Sequence, residues 1–437
     1  MTTPFLHQLT LRNLLSFGPK TEPLQLGSLN VLIGPNGSGK SNFIEALSLL
    51  RASARDLRSG LKGGVSDWIW KGDPKGVASL EAILANPHGQ ERQGLRHRLA
   101  FRAEQQTFQL EDERIENEAP YAHQSEVYFY YRYQYGQPVL NIRNGQRRLT
   151  RENVELNQSI LPQRRDPETY PEISYLASMY ERIRLYREWS FGRSTIFRAP
   201  QQTDLRSDRL EEDFSNLGMF LNRLRLNPKA KSALLNALRD LYDGLTDFEL
   251  SIVGGTVQVF FTEGSFTVPA TRLSDGTLRY LCLLAILCDP EPPPLIGIEE
   301  PELGLHPDIL PKIADLLIEA SKRTQLIVTT HSDMLVDALT EHPETIVICE
   351  KHAGQTVMQR LEAEQLAHWL QDYRLGELWM RGELGGHVAL LYGSAEPRQT
   401  GRAARKGGAG GATKHQAPER RRRRCDDQAQ FGYRESG

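Results

Sequence analysis

The sequence predicts an α/β fold in which a glycine-rich loop joins a buried strand to a helix. An antiparallel β subdomain, an inserted helical lobe and a disordered C-terminal tail complete it. Three observations carry this expectation. VLIGPNGSGKSN, residues 31–42, runs from an apolar strand through a burst of glycine into helical spacing. LIGIEEPE, residues 295–302, ends a second apolar strand in adjacent carboxylates. From LSDGT, residues 273–277, to residue 360, apolar helices and strands alternate.

The elements follow in order. FLHQLTL, LQL and LNVLI, within residues 5–33, read as short strands. A helix from about Gly39 to Leu57 spaces Phe43, Ile44, Leu47 and Leu50 along one face. Residues 77–150 alternate as antiparallel strands, ending in the hairpin VLNIRNGQRRL with Asn144-Gly145 at its turn. Residues 172–190 and 209–242 read as helices, separated by a polar loop with RAPQQTDLRSD. ELSIVGGTVQVFF reads as a hairpin and residues 275–288 as an apolar helix. PPPLIGIEE is a proline-bounded buried strand, PDILPKIADLLIEA a helix, QLIVTT a strand and HSDMLVDAL a helix. TIVICE and QTVMQRL form a last strand pair. There is no internal repeat and no heptad run long enough for coiled-coil arms.

At 437 residues, 39% hydrophobic and 25% charged, the composition is that of a soluble globular protein. Cys282, Cys288, Cys349 and Cys425 form no CxxC pair, which excludes a zinc or disulfide framework and fits a reduced, cytoplasmic setting. MTTPFLHQLTLRN lacks the basic start and apolar core of a signal peptide. The longest apolar run, LCLLAILC, is too short to span a bilayer, so no membrane association is expected. The net charge of −2 hides an asymmetry: from Leu391 on, eleven Lys/Arg stand against five Asp/Glu, a local +6 that leaves the body at −8. An acidic body is no general nucleic-acid binder, so any DNA contact needs a local patch. Residues 386–437 are low-complexity and basic, cannot bury enough to fold, and are expected to be disordered. Arg420 to Arg424 read either as a nucleic-acid arm or, preferably, as a dispensable or misread end of the coding frame.

Residues 34–41 match GxxxxGK[ST] in full. Gly34, Pro35, Asn36, Gly37, Ser38 and Gly39 form a loop whose backbone N–H groups can turn toward phosphate oxygens, with Asn42 in the first turn of the helix beyond. Lys40 reaches the β- and γ-phosphates of a nucleotide, and the Ser41 hydroxyl ligates Mg2+. Neighbouring strand residues face opposite ways, so Glu299 and Glu300 should differ in role: Glu299 holding the metal through water, Glu300 acting as general base. Alone, such a pair is an ordinary solvated strand end; the upstream loop changes the weighting. His331 ends the next strand, where a side chain can sense the γ-phosphate. Ser274 and Gly276 open a helix and form a second anion-seeking end, which in isolation would be only a good cap.

GPNGSGKSN, LSDGT, GIEEPELGLHP and IVTTHS, in that order, resemble the Walker A, signature, Walker B with D-loop, and switch-histidine motifs of ABC-type ATPases. Within that superfamily the chain resembles the RecF/SMC-like and OLD-like branch, the soluble ATPases grouped as AAA_21. The resemblance covers about residues 1–385 and implies a P-loop NTPase head of ABC type, split as 1–60 and 245–385 around a strand and helix lobe at 61–244. It implies ATP and Mg2+ as ligands, and a homodimer that closes on ATP, with Ser274 and Gly276 of one head meeting the γ-phosphate held by the other. Glu300 would be the base and His331 the switch. Three departures stand out: Glu299 where many relatives have Asp, a signature without the double glycine, and His306 in place of the D-loop aspartate. Gln201 and Gln202 are weak candidates for the Q-loop glutamine.

A transporter head is disfavoured by the 233 positions between Lys40 and Leu273, and a long-armed clamp by the missing heptads and zinc hook. No Toprim-type acidic set follows His331, so a nuclease, if one acts here, is a separate partner. Arg147-Arg148, Arg164-Arg165, Arg182/Arg184/Arg187 and Arg223/Arg225 could line a DNA channel or simply be solvated faces. The expected function is an ATP-hydrolysing head acting in DNA repair or phage defence through DNA or an effector. The rival is an ATP-held scaffold or regulator of an effector, with negligible turnover.

Overall fold

The computed structural model describes residues 4–384, apart from 89–92, 135, 143–144, 149–153, 191, 193–194 and 196–197. The basic tail, Asn144 and the side chains of Arg147 and Arg148 lie outside what is described.

Eighteen strands form three sheets among the described residues. The central one has six: β3 (Leu29–Ile33), β10 (Arg184–Tyr186), β15 (Leu295–Glu299), β16 (Gln325–Thr329), β17 (Ile346–His352) and β18 (Gln355–Arg360), in the order β10-β15-β16-β3-β17-β18. All neighbours are parallel except the edge strand β18. Every side chain of LNVLI and QLIVT is buried, as expected for strands covered on both faces. Eight antiparallel strands make the second sheet: β1 (Leu6–Arg12), β2 (Leu24–Gln25), β4 (Ala78–Leu84), β5 (Leu95–Glu104), β6 (Thr107–Asn117), β7 (Phe129–Gln134), β8 (Gln137–Ile142) and β9 (Gly145–Arg148), ordered β2-β1-β4-β5-β6-β7-β8-β9. In the third, β13 (Thr256–Glu263) pairs with β11 (Gln201–Gln202), β12 (Leu245–Val253) and β14 (Phe266–Pro269). The two-residue turn Gly254-Gly255 closes the β12–β13 hairpin.

Eleven α-helices connect them among the described residues: α1 (Lys40–Ser53), α2 (Leu57–Gly60), α3 (Val65–Trp68), α4 (Pro171–Glu181), α5 (Leu217–Leu226), α6 (Pro228–Leu241), α7 (Asp275–Leu287), α8 (Leu310–Ser321), α9 (Asp333–Asp337), α10 (Ala363–Leu366) and α11 (Leu375–Met380). α7 is buried around its whole circumference from Leu278 to Leu287, and apart from Arg279 that stretch is made of apolar side chains and Tyr280. The central sheet divides two cores, since alternate strand residues face opposite ways. Leu29, Val31 and Ile33 of β3 join α7, α8 and the third sheet, while Leu32 joins α1, α4 and the antiparallel sheet.

The structure corrects two readings. Residues 172–190 are helical only to Glu181; Arg184–Tyr186 instead form β10, all three side chains buried, in parallel register with Ile296–Ile298. In 209–242 the helices begin at Leu217, because the chain before it is spent on turns: Asn216 accepts from the Glu211 N–H and donates to the carbonyls of Arg206 and Arg209. The stretch 61–244, read as an insert, contributes to all three sheets: β4 pairs with β1, β10 with β15 and β11 with β13. A buried polar knot braces this region. Glu113 on β6 accepts from the Ile160 N–H at 2.9 Å and meets His97 Nε2 at 3.4 Å, while His97 Nδ1 meets the Tyr180 hydroxyl on α4. No described helix is long and apolar enough to cross a membrane.

Candidate functional site: a glycine loop and two carboxylates at one sheet edge

β3 delivers the chain to the loop 34–39 at the sheet edge, and α1 leaves from it. The loop admits only glycine at two points. A Cβ on Gly34 (φ 144°) would stand 2.1 Å from the Cys349 carbonyl oxygen of β17, and one on Gly39 (φ 104°) 2.1 Å from Thr356 Oγ1 of β18. Thr356 Oγ1 also donates to the Ser38 carbonyl at 2.9 Å, so the hairpin β17–β18 clamps the loop from behind. Gly39 offers α1 no side-chain cap, which leaves the first N–H groups of the helix for another acceptor. Lys40 Nζ lies across the loop, donating to the carbonyls of Gly34 (2.7 Å) and Pro35 (3.0 Å). Burial pulls its pKa below the ordinary lysine value, opposed by Cys349, Glu300 and Glu302. Pro35, Asn36, Gly37 and Ser41 are exposed, Asn42 half-buried and Ser38 buried. An uncapped helix start, an ammonium group and an exposed serine hydroxyl in its first turn form a donor set suited to a phosphate with its divalent cation.

β15 and β16 bring the carboxylates and the histidine to the same edge. The chain turns sharply after Glu299: Glu300 has φ 47°, a left-handed conformation costly for a residue with a side chain. Its N–H remains anchored to the Thr329 carbonyl of β16 at 3.0 Å. Glu300 Oε1 then lies 3.6 Å from His331 Nε2, so the structure joins these two sequence candidates. Glu299 is different. Its carboxylate accepts from Arg187 Nε at 3.1 Å, Arg187 also pairs with Glu45 on α1, and the Trp189 indole N–H donates to the Glu299 carbonyl at 2.6 Å. Burial raises the Glu299 pKa, Arg187 lowers it and Glu300 raises it again.

The signature segment is a separate place. Ser274 caps α7, its Oγ accepting from the Thr277 N–H at 3.1 Å. Arg198 grips the approach, donating to the carbonyls of Thr271 (3.0 Å) and Leu273 (2.7 Å) and pairing with Asp275. Gly276 lies against the D-loop, where a Cβ would be 3.3 Å from the Gly304 carbonyl. Among the described residues no hydrogen bond or ion pair joins Ser274 or Gly276 to residues 34–42.

Sequence reasoning missed Trp189, Arg198 and Glu302, and read Arg187 only as part of a basic cluster. Glu302 accepts from Thr330 Oγ1 at 2.7 Å and the His331 N–H at 2.9 Å, fixing the turn that carries the histidine. Its signal was present as the third carboxylate of EEPE; the arginines and the tryptophan sit in irregular chain with no pattern of their own. Gln201 is corrected as a Q-loop candidate: its amide accepts from the Gly218 N–H (2.6 Å) and donates to the Phe214 carbonyl (3.1 Å), tying up both ends at the start of α5. The basic clusters also disperse. Arg165 pairs with Glu181, Arg223 with Asp289 and Arg187 with Glu299, while Arg184 is buried.

Residues 29–337 match the family model described as "AAA domain, putative AbiEii toxin, Type IV TA system", AAA_21. Over 92 residues the chain is 39% identical to the chromosome partition protein Smc of Desulfitobacterium hafniense (strain Y51), a match covering 20% of this chain and 7% of that protein. The fold is similar to that of an Smc head bound to the C-winged helix domain of ScpA, with a TM-score of 0.54 and 17% identity over 83% of this chain and 99% of that one. It is similar, too, to an Smc head with an extended coiled coil bound to the C-terminal domain of ScpA, from Pyrococcus furiosus (TM-score 0.53, 14% identity, 85% of this chain, 99% of that one).

Proposed function

The chain belongs to the AAA_21 family of SMC-head-like P-loop ATPases, and on that premise we propose that it binds and hydrolyses ATP as an ABC-type head that pairs with a second copy. The observation that carries the proposal is the meeting of Glu300 and His331, 3.6 Å apart, at the edge from which the loop 34–39 and Lys40 open. In this reading the loop amides and the start of α1 hold the phosphates, and Lys40 exchanges the carbonyls of Gly34 and Pro35 for the β- and γ-oxygens. Ser41, with Glu299 acting through water, would hold Mg2+, whose charge offsets that of the phosphates. Glu300 takes the proton of the attacking water, and His331, oriented by Glu302 through its backbone, registers the γ-phosphate. Ser274 and Gly276, which among the described residues form no hydrogen bond or ion pair with their own loop, complete the site of the partner copy.

Coupling of this cycle to DNA or to an effector in repair or phage defence is the finer part of the proposal. A second reading rests on Arg187. With Glu299 held in an ion pair, metal ligation competes with a structural contact, which favours an ATP-held scaffold or regulator of a separate effector, such as a nuclease, with little turnover.

Light scattering on Glu300→Gln with and without Mg-ATP tests the paired head. A monomer-to-dimer shift on ATP supports it; a chain that stays monomeric with ATP bound sinks it. Steady-state phosphate release with and without DNA then separates the two readings: DNA stimulation abolished by Lys40→Ala supports the enzyme, and ATP binding without turnover supports the scaffold.

A further inference from the structure

Arg182, Arg184 and Arg187 look like one basic cluster in sequence, but the structure sends them to different places. Arg187 turns to Glu299 and Glu45. Arg184 points into a cavity of about 280 Å3 between β10, the C-terminal end of α7 and residues 208–210, whose wall also carries Arg182 and Arg209.

Arg184 is only 5% exposed. Its Nη1 donates to the carbonyls of Glu181 (3.0 Å) and Ile183 (2.8 Å), which fixes the guanidinium, while Nε is buried with no partner. Among the described residues no carboxylate forms an ion pair with Arg184 or Arg182, and that of Arg209 is with Glu211 at 3.6 Å. The carboxylates lining the cavity are engaged with arginines outside it. Asp208 takes two bonds from Arg206, at 2.7 and 2.6 Å; Asp289 pairs with Arg223 at 2.7 Å, and Glu291 with the same arginine at 3.5 Å. Glu212, near Arg184, is taken up by Arg51 and the Leu185 N–H. Burial first, and then the charge of Arg209, hold the Arg184 guanidinium below its ordinary pKa, opposed in part by Glu212, Tyr186 and Glu211. A buried cation facing a second cation across a cavity whose wall is half apolar is costly unless an anion shares the space.

We propose that this cavity is a binding site for a small phosphate-bearing anion, with Arg184 as its buried anchor and Arg209 and Arg182 closing on the same group. Arginine forks suit phosphate oxygens. The volume lies just below the usual range of ligand cavities, roughly 300–1,000 Å3, which suits a small anion. The site is distinct from the nucleotide edge: Arg184 pairs with Ile296 at the start of β15, whereas Glu299 ends that strand. Ala285 and Ile286 of α7 form part of its wall, and the same helix begins at the Ser274 cap.

The test is isothermal titration calorimetry on the full chain with inorganic phosphate and with glycerol 2-phosphate, in a Lys40→Ala background that weakens phosphate binding at the loop. Saturable binding is expected there, weakened about tenfold or more by adding Arg184→Gln. Arg209→Gln, at a half-buried position, should weaken it likewise and serves where Arg184→Gln does not fold. Binding of both probes identifies a phosphate ester as the ligand class, and binding of inorganic phosphate alone the free ion. Neither probe binding the Lys40→Ala protein, or equal binding with and without the second substitutions (an adventitious ion only), overturns the proposal.

Discussion

The molecule has two helix starts suited to phosphate, and they are built in opposite ways. The loop 34–39 is held by distant chain: the Cys349 carbonyl packs against Gly34, and Thr356 bonds the Ser38 carbonyl across 318 positions. The start of α7 is local and exposed, with Ser274 capping its own helix and Arg198 steadying the approach from 75 positions away. The first is shaped by the whole central sheet and tolerates little change. The second is complete without it and exposed, as the proposed pairing with a second copy requires.

The largest expected effect lies at Glu300, the proposed base beside the first region. Glu300→Gln should cut phosphate release by about 10²–10⁴-fold while leaving ATP binding intact, the range for a positioned general base. Unchanged turnover would remove Glu300 from that role. Next, Lys40→Ala should weaken ATP binding by about tenfold to a hundredfold in equilibrium dialysis, from the loss of charged hydrogen bonds. A glycine pair then tests the contrast directly. Gly34→Ala meets both a positive φ and a backbone oxygen, and should cost about 1–3 kcal/mol in denaturant unfolding. Gly276→Ala meets the Gly304 carbonyl at 3.3 Å and Ser274 Oγ at an ordinary 3.9 Å, and should cost less than about 1 kcal/mol while lowering turnover. Equal stability losses would erase the distinction. The smallest effect belongs to Arg198→Ala, expected to slow ATP turnover about two- to fivefold by loosening residues 271–275, with ATP affinity of the single head unchanged.

What could be read from sequence follows the same division. The strand before Gly34, the α7 helix, the β12–β13 hairpin and the strands ending at Glu299 and Thr329 are declared by local pattern, because glycine, capping serine and apolar runs act over a few residues. β10 is not. RLY continues a helical run in sequence, and only pairing with Ile296–Ile298, more than a hundred positions later, makes it a strand. The same holds at the site. Glu299, Glu300 and His331 could be picked out as residue types at strand ends, but not the left-handed turn at Glu300 or the Arg187 that reaches Glu299 from irregular chain. Long arginine side chains act across the fold and leave no periodic trace.

The position of β3 has a consequence for how the protein is made. This strand is made well before its partners: both of its neighbours, β16 and β17, come roughly 300 positions later. At about 5–20 residues per second, the strand LNVLI waits on the order of 15–60 s before either partner exists. For most of that time Leu29, Val31 and Ile33 also lack α7 and α8, which cover them in the folded chain but follow more than 200 positions later. Nascent chains stalled before Cys349 therefore lack the frame of the glycine loop itself, and they present a bare β edge of the kind chaperones must shield.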